Sequence, residues 1–181
     1  MTSCDKNNAL EVDEICFETL LSEPEYQLPE NGEEIGIKLG FRITNKSDKS
    51  YRFHLPLFVP ELSDHNRNIL AVDAGRNMTV PVKESDIEFI APGQSVDLYI
   101  RAELTHYINY GVHLRAYADY GAIYSFRNLQ PDEYNIRFKY RSPRSKHRFG
   151  RELKYREYDG FWVGEVYTPW KRLSLKEISR K

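Results

Sequence analysis

Ile35-Gly36-Ile37-Lys38-Leu39-Gly40-Phe41-Arg42-Ile43-Thr44 is the stretch on which the fold is decided. Apolar side chains fill every odd position from Ile35 to Ile43, and Gly, Lys, Gly, Arg and Thr fill the even ones. A period of two fits a strand, whose successive side chains point to opposite faces, one toward a core and one toward water. Thr44-Asn45-Lys46-Ser47-Asp48 then supplies a polar cluster suited to a turn.

The same alternation returns along the chain. Tyr51, Phe53, Leu55, Leu57 and Val59 alternate with Arg52, His54, Pro56, Phe58 and Pro60. The two prolines predict a short or edge strand, because proline donates no ladder hydrogen bond. Val96, Leu98, Ile100, Ala102 and Leu104 form a third series, and Tyr134, Ile136, Phe138 and Tyr140 a fourth, with Asn135, Arg137, Lys139 and Arg141 between them. Shorter strands are expected over 9–21, 78–82, 86–90, 112–118, 122–127 and 161–168. Ala91-Pro92-Gly93-Gln94 places Pro and Gly as a type II turn requires, and Asn128-Leu129-Gln130-Pro131-Asp132-Glu133 supplies a second turn. No window carries a sustained 3.6-residue apolar stripe; at most a short helical turn is expected near 103–110.

Short strands, turn signals and no helices predict an all-β chain, an antiparallel β-sandwich. At 181 residues it exceeds the ~100 of a minimal immunoglobulin-type domain, which places long loops or extensions at 22–34, 60–77 and 141–160. With no internal repeat or low-complexity linker, residues 1–181 read as a single domain with an N-terminal extension, of which 1–8 is a loose tail.

Lys and Arg number 26 against 27 Asp and Glu, and 40% of residues are hydrophobic and 13% aromatic. That composition predicts a folded core and argues against a polybasic nucleic-acid binder or an acidic disordered chain. The neutral sum hides a gradient. Residues 1–34 hold ten acids and one base, a net of −9, whereas 137–181 hold fourteen bases and five acids, a net of +9. The acidic segment is therefore expected alongside the C-terminal strands.

The N-terminus lacks a basic n-region and an apolar h-region, and no apolar run approaches the ~18 residues of a membrane span. The compartment expected on that basis is the cytoplasm. Cys4 and Cys16 are accordingly expected as reduced thiols, with a bridge between them as the alternative.

Two turn motifs carry a resemblance. Ile90-Ala91-Pro92-Gly93-Gln94-Ser95 ahead of an alternating strand, and Leu129-Gln130-Pro131-Asp132-Glu133-Tyr134-Asn135-Ile136, are similar to corner elements of bacterial immunoglobulin-like modules. In the second, Asp132 stands where an L-x-P-G-x-Y-x-V element has glycine. With Ile43-Thr44-Asn45-Lys46-Ser47 upstream, the order resembles the intracellular proteinase inhibitors of bacilli and uncharacterised immunoglobulin-like proteins of cyanobacteria. The likeness spans about residues 35–140 and implies an immunoglobulin-like sandwich. It implies no activity, because such a frame hosts many functions.

Chemistry-bearing patterns are sparse. His54, His65, His106, His113 and His147 have no metal-ligand spacing, and Asp64-His65 is the one adjacent acid–imidazole pair, in a solvated turn. G-x-S-x-G and phosphate-cradling glycine loops are absent. The expectation is a chain that is not an enzyme and takes no cofactor or metal. Six tyrosines, Tyr99, Tyr107, Tyr110, Tyr117, Tyr120 and Tyr124, cluster in the centre. They suit cross-strand packing, a protein-binding face or sugar stacking. The most distinctive segment is basic: Arg141, Arg144, Lys146, Arg148, Arg151, Lys154 and Arg156, interleaved with Phe149 and Tyr155, read as a long hairpin loop over 141–160. The expected function is a protein-interaction module that binds a partner, an acidic one, through these nine residues or an aromatic sheet face. A carbohydrate- or nucleic-acid-binding sandwich is the alternative.

Overall fold

The computed structural model describes residues 9–76, 84–118, 121–149 and 156–177. In chain order the strands are β1 (Ala9–Val12), β2 (Ile15–Leu21), β3 (Glu25–Gln27), β4 (Glu34–Asn45), β5 (Tyr51–His54), β6 (Phe58–Ser63), β7 (Asp73–Arg76) and β8 (Ile87–Ile90). They continue as β9 (Ser95–Tyr107), β10 (Gly111–Tyr117), β11 (Ala122–Leu129), β12 (Asp132–Ser142), β13 (His147–Phe149), β14 (Arg156–Tyr158), β15 (Gly164–Tyr167) and β16 (Lys171–Lys176). Single 3-10 turns occupy Leu55–Leu57 and Glu84–Asp86. The strand expected over 78–82 lies outside the described residues.

The first sheet runs β1-β2-β4-β9-β10-β11-β7, antiparallel throughout. The second is built on β12, with β6 along one edge and β16 then β15 along the other. β3 adds to β16 in parallel. The inward residues of β4 and β12 are those the alternation named: Leu39, Ile43, Phe138 and Tyr140 are fully buried. Phe41 of the first sheet stacks on Phe58 of the second, with ring centroids 3.8 Å apart, and meets Phe138 at 5.0 Å. Phe17 packs on Trp162 at 5.3 Å and Phe53 at 6.1 Å. Each such ring contributes about 1.5–3 kcal/mol through burial. The all-β sandwich expected from the sequence is therefore the architecture observed.

A buried polar chain joins the sheets. The Phe138 N–H donates to Thr168 Oγ1 at 2.8 Å; Thr168 shares a 2.6 Å bond with Thr19 of β2, whose hydroxyl donates to the Pro169 carbonyl. Both threonines are 1% exposed, so each bond replaces water that cannot reach the site.

Two turns hold the corners. Gly93 takes φ +74° and the Gln94 N–H donates to the Ala91 carbonyl at 3.1 Å, the type II turn expected there. Asn45, fully buried, organises the facing corner. Its amide donates to the Lys49 and Ile90 carbonyls at 2.7 and 3.0 Å, and its Oδ1 accepts from the Ser47 N–H and hydroxyl at 3.0 and 2.7 Å. At the start of β12 the Tyr134 hydroxyl accepts from the Gln130 N–H at 3.0 Å and donates to its carbonyl at 3.2 Å. This is the hydrogen-bond pattern of a tyrosine corner.

Several expectations are corrected. The alternation of 51–60 does not run through: the 3-10 turn at Leu55–Leu57, with Pro56 inside it, shifts the phase, so that Phe58, Pro60 and Leu62 point inward instead of Leu57 and Val59. Pro60 interrupts no second ladder: among the described strands β6 pairs with β12, and its further bridge, Ser63 to Ile69, lies past Pro60. The helical turn near 103–110 is absent. β9 extends to Tyr107 because β4 and β10 flank it on both sides, and the chain reverses at 108–110. Cys16 is disulfide-bonded rather than a reduced thiol; Cys4 lies outside the described residues. The reduced reading rested on an assumed reducing compartment rather than on the residues around Cys16. The acidic N-terminal segment divides. Glu25 reaches Lys176 at 3.8 Å, but Glu11 pairs with Lys46 at 2.9 Å and Glu34 with Arg101 at 3.6 Å, within the first sheet. Among the described residues no helix is long and apolar enough to cross a membrane.

Candidate interaction surface

The basic segment is a ribbon. β13 and β14 pair in the register His147↔Tyr158, Arg148↔Glu157 and Phe149↔Arg156, and neither pairs with a strand of the two main sheets. Its root is pinned. The Phe161 N–H donates to the Ser145 carbonyl at 3.1 Å, and Ser142 at the end of β12 donates its hydroxyl to the Arg144 carbonyl at 3.2 Å. Arg52 of β5 clamps the returning arm three times: its N–H to the Gly160 carbonyl at 2.8 Å, its carbonyl from the Trp162 N–H at 3.0 Å, and its guanidinium to the Asp159 carbonyl at 2.7 Å. Gly160 sits at φ +73°, where a side chain is disfavoured.

Of the nine residues named from sequence, those described divide between the second sheet and the ribbon. Arg141 belongs to the sheet face, 3.3 Å from Glu165. Arg144 and Lys146 are exposed near the root, Lys146 being 3.9 Å from Glu157. Arg148, Phe149 and Arg156 contribute backbone to the ribbon. Arg151, Lys154 and Tyr155 lie outside the described residues.

Arg141 continues a row that β12 presents on its outward face. Arg137, Lys139 and Arg141 alternate with the buried series, about 7 Å from one to the next. The Arg137 guanidinium lies 4.1 Å from the Trp170 ring and 4.4 Å from that of Tyr167, and is held by Glu61 at 2.7 Å. Lys139 sits 5.0 Å over Tyr167. The Tyr167 hydroxyl, and Glu165 beside it, hold the Lys139 ammonium above the ordinary lysine range. Trp170 stays 38% exposed. Alternation along β12 placed these cations on the wet face. Their aromatic partners were missed because nothing local links Arg137 to the 167–170 turn.

The outward face of the first sheet carries a second network. Glu103 is 4% exposed although it points away from the core. It accepts from the Tyr117 hydroxyl and from Arg101 at 3.2 Å, while Arg115 donates to the Tyr107 hydroxyl at 2.8 Å. Burial and the bond to Glu103 push the Tyr117 phenol up to about 12. The bond to Glu103 raises the Glu34 carboxyl. Glu103 itself is held low: burial opposes its ionisation, but Tyr117, Glu34 and Arg101 outweigh it. The carboxylates thus share their hydrogen-bonding capacity with neighbours of the same chain. Tyr99, 45% exposed, lies across from Gly40 beneath Lys38, whose ammonium is 4.4 Å from the ring; Tyr124 is in the core and Tyr120 lies outside the described residues. His65 pairs with Asp132 at 2.6 Å, and Asp64 instead accepts from Asn68. Among the described residues no group of three His, Cys, Asp or Glu could hold a metal ion.

Comparison of the chain with known protein families, with curated proteins and with solved structures finds no match in any of the three.

Proposed function

We propose that the chain is a non-enzymatic interaction module that grips an acidic surface of a partner protein with the basic ribbon of 141–160. The Arg137–Lys139–Arg141 row extends that surface onto the second sheet. One observation carries this reading: the ribbon pairs with neither main sheet, yet its root is fixed to the core through Arg52, Gly160 and Ser145. A segment with seven bases and three acids, anchored at its root, suits capture of opposite charge with a reduced ordering cost. Arg137 between Tyr167 and Trp170 supplies the planar anchors on which protein interfaces concentrate their affinity. The Tyr134 corner and the Pro92-Gly93 turn support an immunoglobulin-like frame, on which recognition commonly falls to loops. The disulfide at Cys16 favours an oxidising setting over the reducing cytosol.

The test replaces Arg144, Lys146, Arg148 and Arg151 by Ser and compares partner capture from the native host across a salt series. The quadruple variant is expected to lose the salt-sensitive partners while keeping its urea midpoint. An unchanged capture profile refutes the ribbon as the binding element.

A further inference from the structure

On the inward side of β9 the burial is uneven. Ala102 and Leu104 are 3% and 0% exposed, whereas Leu98 and Ile100, on the same face, are only half-buried. Leu98 and Ile100 line an open cavity of about 470 Å³ beside the Phe41–Phe58 stack, to which the two 3-10 turns and β8 contribute Leu55, Ser85, Asp86 and Glu88. That volume falls within the range of small-molecule sites, about 300–1,000 Å³.

Its lining has two characters. Phe41, Leu55, Phe58, Leu98, Ile100 and Ala118 make an apolar wall. Ser85, Asp86 and Glu88 make an acidic one, and among the described residues no base lines the space. Glu88 has no ion-pair partner among the described residues, and burial pushes its carboxyl above the usual range. An apolar guest would leave this carboxylate desolvated without compensation, and an anionic guest would meet the Glu88 charge. A cationic head joined to a hydrocarbon body meets both walls: it sets an opposite charge against Glu88 and covers the half-buried Leu98 and Ile100.

We propose that this cavity binds a small amphiphile of the alkylammonium class, its hydrocarbon against Phe41, Leu55, Phe58, Leu98 and Ile100 and its ammonium on Glu88. No described lining residue belongs to the 141–160 ribbon, so the site is argued separately from the partner surface proposed above.

Isothermal titration of the full chain with decylammonium, decanoate and decanol, each below its micellar concentration at neutral pH, tests the assignment. Decylammonium is expected to bind saturably at one equivalent, with the other two weaker by about tenfold or more, as loss of a charged hydrogen bond implies. Glu88→Gln is expected to bring decylammonium down to the level of decanol without altering the urea midpoint. Ile100→Trp fills the space and is expected to abolish binding of all three; Leu55→Trp serves the same purpose if Ile100→Trp fails to fold. Equal binding of decanoate or decanol, an unchanged decylammonium affinity in Glu88→Gln, or no binding by the parent chain overturns the proposal.

Discussion

Asn45→Ala isolates the contribution of one buried side chain to the fold. Asn45 is fully buried, and its amide uses both donors and its oxygen on three main-chain groups and one hydroxyl. Truncation leaves the Ile90 carbonyl and the Ser47 N–H without their bonds, both in buried surroundings. Each unsatisfied buried group costs about 1–3 kcal/mol. The Lys49 carbonyl is part-buried and recovers a water, so it adds little. The expected loss is about 3–4 kcal/mol, a large share of a net stability of about 5–15 kcal/mol. For a chain of this size each kcal/mol lowers Tm by about 2–4 °C, giving a fall of roughly 6–16 °C. Urea titration read by fluorescence of the core Trp162, paired with calorimetry, measures both quantities. Asn45→Asp, which keeps the acceptor but not the amide donors, is expected to be at least as damaging, since it also buries a charge. A Tm within about 2 °C of the parent would falsify the claim that this amide holds the corner.

Other expectations follow from the same bonds. Tyr134→Phe removes the two hydrogen bonds to Gln130 and is expected to cost about 1–2 kcal/mol in urea unfolding; a neutral outcome argues against the tyrosine-corner role. Gly40→Ala brings a Cβ to 2.2 Å from the Leu98 carbonyl oxygen, so overpacking of about 1–3 kcal/mol is expected, and an unchanged midpoint contradicts the close approach of β4 and β9. Glu133 is held down to about 2, chiefly by Arg172 and then Ser174. Its folded value lies below the ordinary 4.5, so its stabilisation is fully present above about pH 4.5 and fades as pH falls toward 2. Glu133→Gln should flatten that part of the stability–pH curve, and a curve that keeps its parent slope rules the linkage out. Arg52→Ala should leave global unfolding nearly unchanged yet raise amide hydrogen exchange over 156–162; unaltered exchange there means the side chain does not secure the ribbon's root.

What could be read from the sequence follows how local each signal is. β4, β9 and β12 were visible because each has one dry face and one wet face, and a period of two survives whatever the partner strand is. The Pro92-Gly93 turn was visible because only a few residue types tolerate its angles. β3 and β7, Glu25-Tyr26-Gln27 and Asp73–Arg76, were not: they are too short and polar to alternate, and exist because β16 and β11 supply ladder partners. The phase shift at Pro56 was hidden because the ten-residue alternation over 51–60 does not reveal a turn of 3-10 helix inside it. At the candidate surface, the cations of β12 were placed correctly by alternation. Their stacking on Tyr167 and Trp170, and the meeting of Glu34 with Glu103, depend on strand order, which periodicity does not encode. Glu88 gave no signal at all, since Ile87-Glu88-Phe89-Ile90 reads as an ordinary short strand.

The parallel docking of β3 on β16 has a consequence for the life of the chain before it is native. Glu25 waits for Ser174, so the second sheet has its outer strand in hand long before the strand that receives it has been made. During that interval the edge of β12 over 132–136, with Tyr134 and Ile136, has no β16 to cover it. Pairings this distant in sequence are slow to close, and exposed apolar edges recruit other chains. Aggregation during synthesis should therefore be governed by how quickly 171–176 arrives, and ribosome-stalled chains ending before Lys171 should be the species that chaperones hold.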